Sequence, residues 1–325
     1  MNLMLKSVVA LGVTALLTGA ATAQTYWDMA VPNNESNPHT QNALQFAKDI
    51  GAATGGKLVI KVLTSGARIK HADIKPAVRR GATPIGEILA SLIASESPIY
   101  GVDSVPFLTA GYADARKLYA AQKPFLEKKL DGEGLKLLYS VPWPPQGLYA
   151  RKEIKAIEDV SGLKFRTYNA ATNRLALLMK AVPAKIEAAD IAAAFKTGRV
   201  ELMVASPTTG VDTKAWGYLT HYHDLKGWQP RNIAFINKDA FGKLPADQQK
   251  AVLDAAAAAE ARGWAASEKE TERTTKSLAD NKITVVQPTA ALREALVKIG
   301  GTLSAEWEKS AGADGAEVLK SYRSK

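Results

Sequence analysis

Arg166 stands in Gly162-Leu163-Lys164-Phe165-Arg166-Thr167, where apolar and basic residues alternate with the two-residue period of a strand. In that pattern Leu163 and Phe165 share one face, and Arg166 points away from it. The residues that follow, Asn169-Ala170-Ala171-Thr172, read as a turn into a helix, with Asn169 or Thr172 as N-cap. An arginine at a strand end beside a helix N-terminus suits an anion. Its guanidinium is a planar fork that matches a carboxylate with two parallel hydrogen bonds. The unpaired N–H groups of the helix start add positive potential. Spacing alone fits a surface arginine at a strand edge at least as well.

No other residue type forms a local catalytic signature. The chain has four histidines, His39, His71, His221 and His223, and no cysteine. His221 and His223 lie two apart and share a face if that stretch is a strand. No third ligand follows at metal-site spacing, so structural histidines are the better reading. There is no P-loop, no G-x-G-x-x-G and no G-x-S-x-G, so no cofactor and no nucleophile elbow are indicated. Glu87 follows Gly86 at the end of an expected strand, where it either faces a cleft or starts a helix. Trp143 lies in Val141-Pro142-Trp143-Pro144-Pro145-Gln146-Gly147, whose prolines bar a regular element. Aromatic residues at strand ends line the clefts of open α/β sheets. Trp143 and Tyr168 are therefore read as cleft residues, and Trp216 as packing.

The elements that would position these residues alternate regularly. Strands are expected at 26–31, 58–63 and 81–88, with helices at 39–50 and up to Arg80 between them. A helix at 113–130 and a strand at 135–140 lead to the proline-rich crossover. A second series follows: a strand through Arg166, a helix at 170–179, a short strand at 185–186, a helix at 188–197 ended by Gly198, a strand at 201–205 and a loop at 206–210. Both series read β-α-β-α-β, which implies two largely parallel, helix-covered sheets. A strand at 233–237 returns to the first unit. Then 245–281 is one helical pattern with Gly263 as a candidate bend. At ~1.5 Å per residue it would span ~54 Å and cross both units. A strand at 284–287 and a helix at 292–307 finish the chain.

A length of 325 residues suits two domains. The first 23 residues read as a signal peptide: Lys6, an apolar run at 8–17, and an Ala21-Thr22-Ala23 cleavage site, so that the exported, periplasmic chain begins at Gln24. Without cysteines, hydrophobic cores alone must stabilise it. The formal net charge is +10, but the basic residues are dispersed, and export argues against a nucleic-acid partner. A positive field favours small anions.

With these parts laid out, the chain resembles a solute-binding protein of a TRAP (tripartite ATP-independent periplasmic) transporter, of the DctP-like family. The resemblance is carried by Gly162-Leu163-Lys164-Phe165-Arg166 with Asn169-Ala170-Ala171-Thr172-Asn173. Gly81-Ala82-Thr83-Pro84-Ile85-Gly86-Glu87, Val105-Pro106-Phe107, Ala194-Phe195-Lys196-Thr197-Gly198-Arg199-Val200 and the run 237–249 support it. It implies a type II-like periplasmic-binding-protein fold of two α/β lobes joined by hinge strands, with a long helix across both. Lobe I would comprise 24–143 and 232–272, and lobe II 144–231 and 273–325. It also implies that Arg166 holds a ligand carboxylate, and that a monomeric receptor passes the ligand to small and large membrane subunits.

Two departures bear on the ligand. Sialic-acid and many dicarboxylate binders of the family carry a second arginine near the position of Gln146. They often carry an asparagine where Ala205-Ser206-Pro207 stands here. A second buried carboxylate would lack a partner. The expected ligand is thus an aromatic or apolar monocarboxylate, with or without a 2-oxo or 2-hydroxy group. Gln146, Ser206 and Thr208 would bond its oxygens, Trp143 and Tyr168 would cover its body, and Glu87 completes the expected contacts. A dicarboxylate or sugar acid is the alternative within the family. An exported hydrolase is the alternative outside it, and no acid-base cluster supports one.

Overall fold

The structure is a computed structural model that describes residues 24–324. The signal-peptide reading of residues 1–23 lies outside the described residues.

The first unit runs β1 (Thr25–Ala30), α1 (Pro38–Ala53), β2 (Leu58–Leu63), α2 (Ile74–Arg79), β3 (Ile85–Leu89), α3 (Tyr112–Gly132) and β4 (Leu135–Pro142). The second runs β5 (Gly147–Ala150), β6 (Lys164–Thr167), α4 (Ala170–Leu178), β7 (Val182–Lys185), α5 (Ile191–Lys196), β8 (Leu202–Ala205), α6 (Pro207–Asp212) and β9 (His221–His223). Then β10 (Arg231–Asn237), α7 (Lys238–Gly242), α8 (Ala246–Asp280), β11 (Thr284–Val286) and α9 (Ala290–Arg323) complete the chain.

The strands form two sheets, ordered β2-β1-β3-β10-β4 and β11-β9-β5-β8-β6-β7. Neither is as parallel as expected. β10 returns from the second unit and enters the first sheet antiparallel to both β3 and β4. β5 lies antiparallel to β8 and β9 for the reciprocal reason. Helices and loops cover both faces of each sheet, with separate apolar clusters on the two sides. That is why β8, and β10 from Ile233 to Ile236, read as continuous apolar runs.

Helix starts follow their caps. Asn37 accepts from the His39 N–H with Pro38 at the first helical position, and Thr289 accepts from the Leu292 N–H. The expected loop at 206–210 is instead the start of α6: Ser206 accepts from the Thr209 N–H and Pro207 begins the helix. Serine followed by proline is an N-cap pattern, here hidden by its turn-like composition. α9 extends beyond the expected 292–307. Its only non-helical residue is Gly312, at φ 59°. Its Leu292, Leu296 and Leu303 pack on the second unit, whereas Trp307, Val318 and Leu319 pack on Ile99, Val102 and Leu118 of the first. The expected boundary had assigned all of 273–325 to the second unit.

α8 has 35 residues, about 52 Å of helix. Ala251, Val252, Ala255 and Ala259 are buried along it, and the alanines let it lie close on β4 and α1. Gly263 is not a bend; the helix is continuous and buried there. A Cβ at this position would meet both Val141 methyl groups, Cγ1 at 2.8 Å, and the Asn42 amide at 3.0 Å. Overpacking of this kind costs about 1–3 kcal/mol, against about 1 kcal/mol gained in helix propensity. Gly263→Ala is therefore expected to lower the melting temperature, as read by calorimetry. A raised value would mean that the β4–α8 contact yields freely.

Candidate ligand-binding site

Two of the chain's crossings between units lie side by side, at 143–146 and at 227–230. The two crossings pair as a short ribbon: the Trp143 N–H donates to Pro230 O at 2.8 Å, Gln146 N–H to Trp228 O at 2.9 Å, and Gly227 N–H to Gln146 O at 3.0 Å. Three prolines stiffen this ribbon by fixing φ. Beside it lies a cavity of about 80 Å3 whose wall draws on both units. That is roughly five to eight times the room one water needs. Arg166, Trp143, Gln146 and Tyr168 all line it, joined by His71, Asn33, Asn232 and Glu187, which sequence reasoning did not select.

Arg166 is the buried cation of this wall. It sits on β6 beside Met203 of β8 and Ala184 of β7, on the face opposite Phe165. That opposite face is itself covered, by Ile186, Met203 and Ala205 among others. Arg166 is consequently only 5% exposed, which removes the surface-arginine reading. Its Nε donates to Ile186 O at 3.0 Å, and its guanidinium carbon lies 4.8 Å from the Tyr168 ring centroid. Among the described residues these bonds leave the terminal nitrogens without a carboxylate. Burial lowers Arg166 to about 10, so the group keeps its charge at neutral pH. Asn169, one of the two expected caps, accepts from the Thr172 N–H at 2.8 Å and fixes the chain just after Tyr168.

The neutral groups around it are held in place. Gln146 donates from Nε2 to Pro144 O at 3.2 Å, and its Oε1 faces the Tyr168 hydroxyl at 3.4 Å. Trp143 Nε1 donates to Asn232 Oδ1 at 2.8 Å, and the indole lies 4.3 Å from the His39 ring. Asn232 in turn donates from Nδ2 to Glu87 Oε1 at 2.8 Å, and the Tyr139 hydroxyl donates to Glu87 Oε2 at 2.8 Å. Glu87 therefore stands behind the wall, not in it. It is 1% exposed and sets the amide that orients Trp143. Burial raises its carboxyl to about 7, although the two hydrogen bonds favour the charged form.

Ser206 and Thr208 do not line the cavity either. Ser206 is spent on capping α6. Thr208 is buried behind Trp143, beside His39. Trp216 packs against the second unit's core, as its reading required. In β9, His223 accepts at Nε2 from the Ile154 N–H and donates from Nδ1 to Leu148 O, so backbone groups occupy both nitrogens. Across the cleft, Asn37 donates to Asp212 Oδ2 at 2.7 Å and Asn169 to Ser91 Oγ at 2.8 Å, tying the units together at two points.

Two α/β units, a double crossover, one long helix over both and a buried cation in the cleft between them define a two-lobed periplasmic binding protein. The family model for bacterial extracellular solute-binding proteins, family 7 (DctP), matches residues 29–310, and the chain belongs to this family. It is a solute receptor of the TRAP type. Such receptors bind small organic acids and work with membrane subunits. The Bordetella pertussis extracytoplasmic solute receptor DctP7, described as binding pyroglutamic acid, is 41% identical, with a TM-score of 0.91 over 92% of this chain and 99% of that one. A marine-metagenome TRAP solute-binding protein specific for pyroglutamate is 36% identical, with a TM-score of 0.91 over 93% of this chain and 100% of its own. A solute-binding protein of Verminephrobacter eiseniae is 24% identical over 96% of this chain and 94% of its length. No helix among the described residues is long and apolar enough to cross a membrane.

Proposed function

We propose that this protein captures a small, ring-sized monocarboxylate of the pyroglutamate class and delivers it, without turnover, to TRAP membrane subunits. The observation that carries this reading is Arg166: a charged guanidinium, buried, with its terminal nitrogens uncommitted, on the wall of a small cavity. A buried charge is costly unless paired, and a ligand carboxylate supplies the pair bidentately. Trp143, Tyr168, Leu89 and Leu92 offer apolar surface for the body of the ligand. Glu187 also lines the cavity, and its negative charge opposes a second carboxylate. The two relatives at 36% and 41% identity bind pyroglutamate, which fits one carboxylate on a compact ring.

The ligand reaches both units, so it stabilises the arrangement in which Asn37 meets Asp212 and Asn169 meets Ser91. Only such differential contact shifts a conformational equilibrium. The working form is a periplasmic monomer, released from its leader after Ala23. Its lobes divide near the paired crossings.

A thermal-shift panel on residues 24–325 tests the reading, with L-pyroglutamate, 2-oxo acids, benzoate, succinate and gluconate. A ligand at ~100 times its dissociation constant adds ~2.7 kcal/mol to stability. A clear rise with L-pyroglutamate or another ring-sized monocarboxylate is expected. A rise only with succinate or gluconate overturns the ligand class, and no rise with any acid overturns the capture role.

A further inference from the structure

The cavity carries a second polar feature, on the part of its wall that the first unit supplies. His71 lies in the short turn that precedes α2, in the first unit, whereas Arg166 belongs to the second. The Leu89 N–H donates to His71 Nε2 at 3.1 Å. A ring nitrogen that accepts carries no proton, so the neutral imidazole holds its proton on Nδ1. Burial and the nearby Lys185 charge lower this histidine to about 4, so the neutral form prevails at pH 7. Of the three amides on the wall, Asn232 and Gln146 are already committed to Trp143, Glu87, Pro144 and Tyr168, whereas the Asn33 side chain makes no hydrogen bond among the described residues and has no backbone bond fixing which way it presents its N–H. His71 Nδ1–H makes no hydrogen bond among the described residues.

We propose that His71 is a ligand donor of the first unit: its Nδ1–H reads a neutral oxygen on the ligand, such as a ring carbonyl, set apart from the carboxylate held by Arg166. This deepens the proposed function and rests on it. The donor is fixed by a backbone amide rather than free to turn, so it selects an acceptor and not a second donor. A purely hydrocarbon acid would satisfy Arg166 and leave Nδ1–H unpaired. A site built to hydrogen-bond a group discriminates against an analogue that lacks it. The same bond would also couple the two units through the ligand, one anchor on each.

Isothermal titration of residues 24–325 with two probes, L-pyroglutamate and cyclopentanecarboxylate, tests this. Both are five-membered rings with one carboxylate, and only the first has a ring carbonyl. His71→Leu is expected to weaken L-pyroglutamate roughly ten-fold and to leave cyclopentanecarboxylate within about two-fold. His71→Asn, whose amide N–H lies near the Nδ1 position, is expected to restore most of the difference. An equal loss for both probes, or no loss for either, overturns the proposal, because damage to folding would not distinguish the probes. If the native chain binds neither probe, the pyroglutamate-class reading falls and this inference with it. If it binds both and loses both in Arg166→Ala, that reading stands whatever His71→Leu shows.

Discussion

Arg166→Ala is expected to weaken binding of the small carboxylate by roughly 150- to 5,000-fold, the equivalent of about 3–5 kcal/mol for removing one partner of a buried charge pair. The size of the effect follows from where the residue sits. Arg166 is 5% exposed, with Tyr168 and Ala205 beside it on the wall, so water screens the pair little, and no other lysine or arginine lines the cavity to replace it. Lys185 is near, but its side chain is 65% exposed and turned to Glu187 at 3.6 Å. Arg166→Lys keeps the charge and loses the planar fork, so an intermediate loss is expected. The unliganded variants should keep the far-ultraviolet spectrum of the native chain. Calorimetric titration that returns native affinity for Arg166→Ala would show that the carboxylate is held elsewhere.

The second large effect concerns pH. Glu87 keeps its proton up to about 7 in the fold, against an ordinary value of 4.5, because burial penalises the charged form. Between those values the folded chain binds a proton that the unfolded chain has lost. The stability this contributes is fully present below pH 4.5 and is lost as pH rises through 7, amounting to about 3 kcal/mol. His39, at 3.7 Å, works in the opposite sense. Burial lowers it from 6.5 to about 3, so its contribution grows as pH rises across that interval. A difference between variants separates the two. Glu87→Gln can still accept from Asn232 and donate to the Tyr139 hydroxyl, and it stays neutral at every pH. Its stability relative to the native chain should climb by about 2.5 kcal/mol between pH 5 and 8 in urea titrations. Parallel profiles would mean that Glu87 is ionised in the fold throughout.

Much of the fold was legible because its signals are local. The alternation around Phe165 gave β6, the alanine-rich run gave α8, and the prolines at 142, 144 and 145 marked the crossing between units. The direction of β10 was not legible. It depends on the chain's return from the second unit, and no residue within β10 records which strands it will join. α6 was missed for a different reason. Its cap signal, Ser206-Pro207, was present, but the threonines and glycine that follow resemble a turn.

The site divides in the same way. Arg166, Tyr168, Trp143 and Gln146 stand next to a strand end or in the crossover, so their place beside a cleft could be read from neighbours in sequence. Glu87 could not be placed by such means. Its partners Tyr139 and Asn232 lie 52 and 145 residues away, and they decide which side of the wall it occupies. His71 carried no usable signal, since one histidine after a loop gains meaning only when the opposite unit supplies the rest of the cavity. Asn232 was hidden too, at the start of a strand whose neighbours were unknown.

A crystal structure of residues 24–325 with L-pyroglutamate tests the central claim most directly. The expected result is a carboxylate lying flat across the Arg166 guanidinium, with two N···O distances of about 2.7–2.9 Å, and the ring between Trp143 and Tyr168. A ligand bound with its carboxylate more than 4 Å from Arg166, or outside the cavity beside the crossover, would contradict it.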